Sequence, residues 1–177
     1  MFFKWIATLI IAINANTRAG EIAAGAACGF LLALLPAGNL LWIALFLIFF
    51  FTKINLGAEF LFIALFKFPV SLLAGLLHAL GYSVLTAPVL QGIFTALYNI
   101  PLLPYTRFNN TVVIGSLITG IVLWLPLFLL LRLLVLLYRK NLRDKIAGSR
   151  IAVRFRRLPL VISIARAVQK ISGIYAG

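Results

Sequence analysis

Apolar positions in this chain come in long runs separated by short polar breaks. After Asn14-Ala15-Asn16-Thr17-Arg18, the run from Ile22 to Leu35 carries no charge, and Pro36-Ala37-Gly38-Asn39 interrupts it. A second run from Leu40 to Phe51 ends at Thr52-Lys53-Ile54-Asn55, and a third extends from Leu56 to Val84 with Lys67-Phe68-Pro69 near its middle. The stretch from Leu85 to Arg107 is less apolar and holds Pro88, Pro101 and Pro104 together with Tyr98 and Tyr105. The run from Thr111 to Tyr138 has no charge before Arg132.

A helix needs roughly 20 apolar residues to cross a hydrocarbon slab of about 30 Å, and the run from Thr111 meets that length. Asn110 is a good N-cap for it, and Pro126 is a candidate kink. Each half of the segment 22–51 is short: about fourteen helical residues reach only about 21 Å. That pair therefore forms either a thin or re-entrant hairpin or one long kinked span. The segment 56–84 repeats the pattern, with breaks at Pro36, Gly38 and Pro69. Pro36 and Pro69 either mark turns and kinks, which is the simpler reading, or break helices that line a cavity as in transporters.

These runs predict an all-α integral membrane protein with about four membrane-embedded helical segments, two of them Pro-broken or re-entrant. Residues 1–138 form its membrane domain. Within it, 1–16 is an uncleaved interfacial helix, since Phe2, Phe3 and Trp5 are apolar contacts for a boundary while the following residues lack a small-x-small cleavage site. Residues 85–110 read as an interfacial connection, and 139–177 as basic amphipathic helices lying on a membrane or a partner. Thr17 and Glu21 mark the start of the first buried helix.

Composition agrees with that class. Of the 177 residues 64% are apolar and only 11% charged, which excludes a water-solvated globule. The 16 Lys and Arg face 3 Asp and Glu, and most of the bases lie from Arg132 onward. Short basic segments beside a membrane helix stay on the cytoplasmic side and gain about 1 kcal/mol per base near anionic headgroups. Arg18, Lys53 and the tail all agree with a bacterial cytoplasmic-membrane, multi-pass location with both termini cytoplasmic. A nucleic-acid partner is the weaker reading of the same charges.

Candidate chemistry is sparse. Glu59, Lys67 and His78 are ionisable groups inside an apolar segment, where such groups usually mark pathways. Glu59 and Lys67 lie eight residues apart, about 12 Å along a helix, too far for a direct pair. The simpler alternative places Glu59 in a first turn after Asn55, lets Lys67 snorkel and has His78 bond a carbonyl. Arg107, Asn109, Asn110 and Thr111 at the start of the longest run, and Arg139, Lys140 and Arg143 at its end, are candidates for holding a lipid headgroup or another anion. Anchoring and capping explain the first set equally. Gly25 and Gly29, and Gly115, Ser116 and Gly120, are small surfaces for close helix packing. The lone Cys28 reads as a packing residue. No metal cluster, nucleotide loop or nucleophile with its base is visible, so neither an enzyme nor a cofactor is expected.

The run NANTRAGEIAAGAACGFLLALLPAGN, the following KINL, the stretch LTAPVLQGIFTALYNIPLLPYTRFNNTVVIGS and the basic tail resemble a group of bacterial membrane proteins sharing the domain of unknown function two-thousand-sixty-two. TRFNNTVVIGS is the most specific piece. The resemblance supplies no activity and no site residue. Its nearest subgroup is similar to proteins encoded beside large AsmA-like envelope proteins, which are thought to bridge two membranes and conduct phospholipid. It therefore implies an inner-membrane accessory subunit of a lipid-transfer system, with membrane phospholipid and a larger envelope protein as partners. The Pro-broken runs leave open a stand-alone small transporter or lipid scramblase, and the basic tail a membrane scaffold for a cytoplasmic partner.

Overall fold

The computed structural model describes residues 18–142, and among these the chain is all-helical with no strand. The expected interfacial helix 1–16 and the tail from Arg143 lie outside the described residues. Six α-helices follow in order: α1 (Ala19–Leu34), α2 (Leu40–Phe50), α3 (Leu56–Ser71), α4 (Ala74–Leu85), α5 (Pro88–Tyr98) and α6 (Thr111–Leu137). A 3-10 turn, Leu103–Thr106, precedes α6, and a π-helical turn, Tyr138–Leu142, follows it. The chain divides into one unit reaching to Val135 and a second beginning at Leu136. The described part of the second unit is the last residues of α6 and the π turn.

Asparagines start the helices that polar breaks announce. Asn39 accepts from the Trp42 amide at 2.8 Å, and Asn55 accepts from the Ala58 amide at 2.8 Å. Asn110 accepts from the Val112 and Val113 amides at 2.9 and 3.2 Å. Each thereby satisfies first-turn donors that have no intrahelical partner. The Asn39 side chain also donates to the Pro36 carbonyl at 2.8 Å, and Gly38 takes φ 86°, so the break becomes one tight turn between α1 and α2.

In the first unit α1 is the buried element, with Ile22, Ala26, Leu31, Leu32 and Leu35 among its core side chains. Its small residues let α3 approach closely along a parallel course. A Cβ on Gly25 would strike the Asn55 carbonyl, and one on Gly29 would strike the backbone of Glu59. Further along, Phe30 meets Phe66 edge to face at 5.2 Å, and Leu34 clusters with Val70. On another side α6 runs antiparallel to α1. Gly120 abuts the Leu31 side chain, the Trp124 indole donates to the Cys28 sulfur at 3.4 Å, and Val135 joins Ala19, Ile22 and Ala58. A second close crossing joins α4 to α6, where Gly81 meets the Thr111 backbone and Gly115 meets that of Leu77. The small-residue positions Gly25, Gly29, Gly115 and Gly120 thus all sit at helix contacts.

The third segment is broken near its middle, as its sequence predicts: α3 carries Pro69 and runs on to Ser71, and the chain bends by 83° between α3 and α4. Proline removes an amide and crowds the preceding turn, and the regular helix ends just beyond it, where the Leu72 and Leu73 amides donate to the Pro69 and Val70 carbonyls in tight three-residue steps. The region 85–110, read from sequence as an interfacial connection, contains α5, which starts on Pro88 as a first-turn proline.

α6 is long and apolar enough to cross a membrane, and its 27 residues extend about 40 Å. Only 11% of its most apolar 18-residue window is buried. Ile121, Val122, Leu125, Leu129 and Leu133 point outward, a continuous apolar surface that water solvates poorly. The bent pair α3 and α4 passes the same length and hydropathy test only when its two halves are taken together, and α1, α2 and α5 are shorter apolar helices.

Candidate functional site

The polar groups of the bundle sit in separate places. At the carboxyl end of α1, the Lys67 ammonium reaches across from α3 and donates to the Leu35 carbonyl at 2.6 Å and the Ala33 carbonyl at 3.4 Å. Those carbonyls belong to the last turn, where no intrahelical donor remains and the helix dipole is negative, so an ammonium there is satisfied twice over. The same turn is held by the Trp42 indole, which donates to the Leu32 carbonyl at 3.0 Å. Lys67, half-buried, therefore ties α3 to the end of α1, where the turn into α2 begins.

Glu59 lies one helix face away, level with Gly29. Its side chain is 0% exposed, and neither carboxyl oxygen has a hydrogen-bond partner among the described residues. The Asn55 cap fixes the start of its helix but leaves its carboxyl unused. His78 lies elsewhere, with its Nδ1 and the Thr111 hydroxyl 2.6 Å apart across the α4–α6 crossing. Its partner is thus a side chain and not the expected carbonyl. Glu59, Lys67 and His78 accordingly do not form one hydrogen-bonded chain. Ser116 is also fully buried, and its hydroxyl has no partner among the described residues. Among these residues no three of His, Cys, Asp and Glu lie together in a group that could hold a metal ion.

Before α6 the chain makes two left-handed residues, Leu102 at φ 73° and Arg107 at φ 55°. This compact turn leaves Arg107 and Asn109 exposed while Phe108 is buried. Phe108 stacks on Phe94 and meets Tyr98 edge to face, with ring centres 6.2 and 6.3 Å apart. Together with Leu85, Gln91, Thr95, Asn99 and Asn109 these rings line an open groove of about 400 Å³. Asn110 is spent on capping and Thr111 on His78, so of the sequence candidates at this end Asn109 lines the groove and Arg107 flanks it. At the other end of α6, Arg139 is half-buried and Lys140 exposed in the π turn, and Arg143 lies outside the described residues.

The chain is 38% identical over 153 residues, 86% of its length, to an uncharacterized protein of Treponema pallidum (strain Nichols), of which the match covers 94%. The two belong to one family. No family model matches the chain, and no solved structure matches it. The relative's description assigns the family no activity, so its chemistry is read from the side chains themselves. Amides and hydroxyls at the groove can donate to phosphate or ester oxygens, the rings can pack against glycerol or acyl carbons, and the adjacent guanidinium can attract an anion. Most of these residues escaped sequence reading because they are ordinary residues on an apparent linker. Their signal was nonetheless there: Gln91, Thr95 and Tyr98 recur at helical spacing along α5, and Asn99 follows at its end.

Proposed function

We propose that the protein is a non-enzymatic, multi-pass accessory subunit of the bacterial cytoplasmic membrane that takes part in phospholipid transfer across the envelope beside a large AsmA-like bridging protein. The outward-facing apolar surface of α6 carries the membrane part of this reading, because only hydrocarbon solvates such a surface at low cost. The groove beside Arg107 supports lipid handling: it joins a polar lining suited to a headgroup with aromatic walls, next to the start of the spanning helix. The resemblance carried by TRFNNTVVIGS supports the envelope partner. In this reading Arg18 and the basic tail stay on the cytoplasmic side.

Purification from native membrane in mild detergent tests it. Recovery of a large envelope protein, with altered phospholipid distribution in a deletion strain, is the expected result. A sample free of such a partner, from a strain whose lipids are distributed normally, overturns the proposal.

One observation favours a second reading, a stand-alone scramblase. α1 and α3 extend only about 24 Å each, and the 83° bend leaves α4 lying across α3, a shape that thins the adjoining leaflets. Purified protein in liposomes separates the two readings: a scramblase equilibrates labelled lipid between leaflets unaided, and an accessory subunit does not.

A further inference from the structure

We infer that Glu59 is a proton-binding site inside the helix bundle, where α1 packs against α3, and that its carboxyl is held there in the neutral, protonated form. The inference concerns the interior of the first unit and stands apart from the lipid-transfer reading.

The setting of the carboxyl carries it. Glu59 is fully buried with both oxygens unpartnered, at the level where Gly29 brings the α1 backbone against its own. An ionised carboxylate in such surroundings requires a counter-charge or water, whereas the neutral acid costs far less to bury. Among the described residues no cationic side chain is hydrogen-bonded to the Glu59 carboxyl, and Arg18, Lys53 and Lys140 are exposed. On α3 itself Lys67 is held by the Ala33 and Leu35 carbonyls. On α1 the titratable neighbours are Cys28, whose sulfur the Trp124 indole engages, and Glu21, a further acid at the helix start. α2 has no titratable side chain. The histidine of α4, His78, meets Thr111, and α6 contributes the exposed Arg132.

A metal cation is a poor alternative occupant. Hard cations take six or more oxygen ligands, and among the described residues no two further acid, His or Cys side chains group with this carboxyl to supply them. A proton needs no such shell. Ionisation of Glu59 would place an uncompensated charge in the bundle, so folding favours the protonated acid.

The test uses the full-length protein in detergent with a hydrophobic, membrane-permeant carbodiimide. The carboxylic O–H adds across one N=C bond, its proton going to nitrogen and its oxygen to the central carbon, and the acyl group then shifts to nitrogen as a stable N-acylurea. Peptide mass spectrometry is expected to find the adduct on Glu59, with yield falling about tenfold per pH unit once the acid ionises. A water-soluble carbodiimide should prefer Glu21 over Glu59. The melting temperature of the wild type should fall as pH rises, since the unfolded chain gives up a proton that the buried carboxyl retains. Glu59→Gln should remove that slope, and Glu59→Met serves as a second neutral variant. No adduct at Glu59, an adduct whose yield ignores pH, or the same pH slope in the neutral variants overturns the inference.

Discussion

Adding one methyl group at Gly29 isolates the helix contact on which the bundle is built. A Cβ there would lie 2.9 Å from both Cα and the carbonyl carbon of Glu59, and closer still to its carbonyl oxygen. These are backbone atoms in the interior of α3, so no side chain can rotate away, and α1 and α3 must separate along the whole seam. Overpacking of this kind costs about 1–3 kcal/mol. Gly20 in the same helix is the internal control, because a Cβ there meets nothing within 4 Å. Gly20→Ala should gain about 0.5–1 kcal/mol from helix propensity alone. Both variants share that propensity gain, so the difference between them reads the steric cost. Reversible unfolding in mixed detergent micelles, followed by circular dichroism, should place Gly29→Ala below Gly20→Ala by about 1–3 kcal/mol. Equal stability of the two variants would refute the close α1–α3 approach.

Further outcomes follow from the polar contacts. Lys67→Met should lower stability by about 1.5–3 kcal/mol in the same titration, because it strips a charged donor from the last carbonyls of α1. An unchanged midpoint would show that the ammonium does not tie α3 to the end of α1. Asn110→Ala leaves the Val112 and Val113 amides uncapped, at a cost of about 0.5–2 kcal/mol, and faster amide exchange confined to the first turn of α6 would register it. A double-mutant cycle between His78→Ala and Thr111→Val should return a coupling of about 0.5–1.5 kcal/mol, and additive effects would deny the contact across α4 and α6.

Much of the architecture is legible in the order of residues. Helix starts at Asn39, Asn55 and Asn110 and the break at Pro36 through Asn39 follow from local chemistry, since capping and turn formation involve atoms only a few positions apart. The span from Thr111 follows from an uninterrupted apolar run. Gly25 and Gly29 signalled a close contact by their spacing, though not the helix that would fill it.

Partners distant in sequence were decided by tertiary structure. That Lys67 meets the end of α1, that His78 meets Thr111 and that Glu59 meets no partner all depend on the parallel α1–α3 pairing and on the 83° bend after Pro69. The groove likewise exists only because two left-handed residues fold the stretch before α6 back onto α5. The sequence by itself determined which stretches are helical and how apolar they are, because those properties are set within a few turns of chain. Which polar group is satisfied and which is left buried alone was set by how the helices pack, because a side chain's free energy depends on the neighbours that folding brings to it.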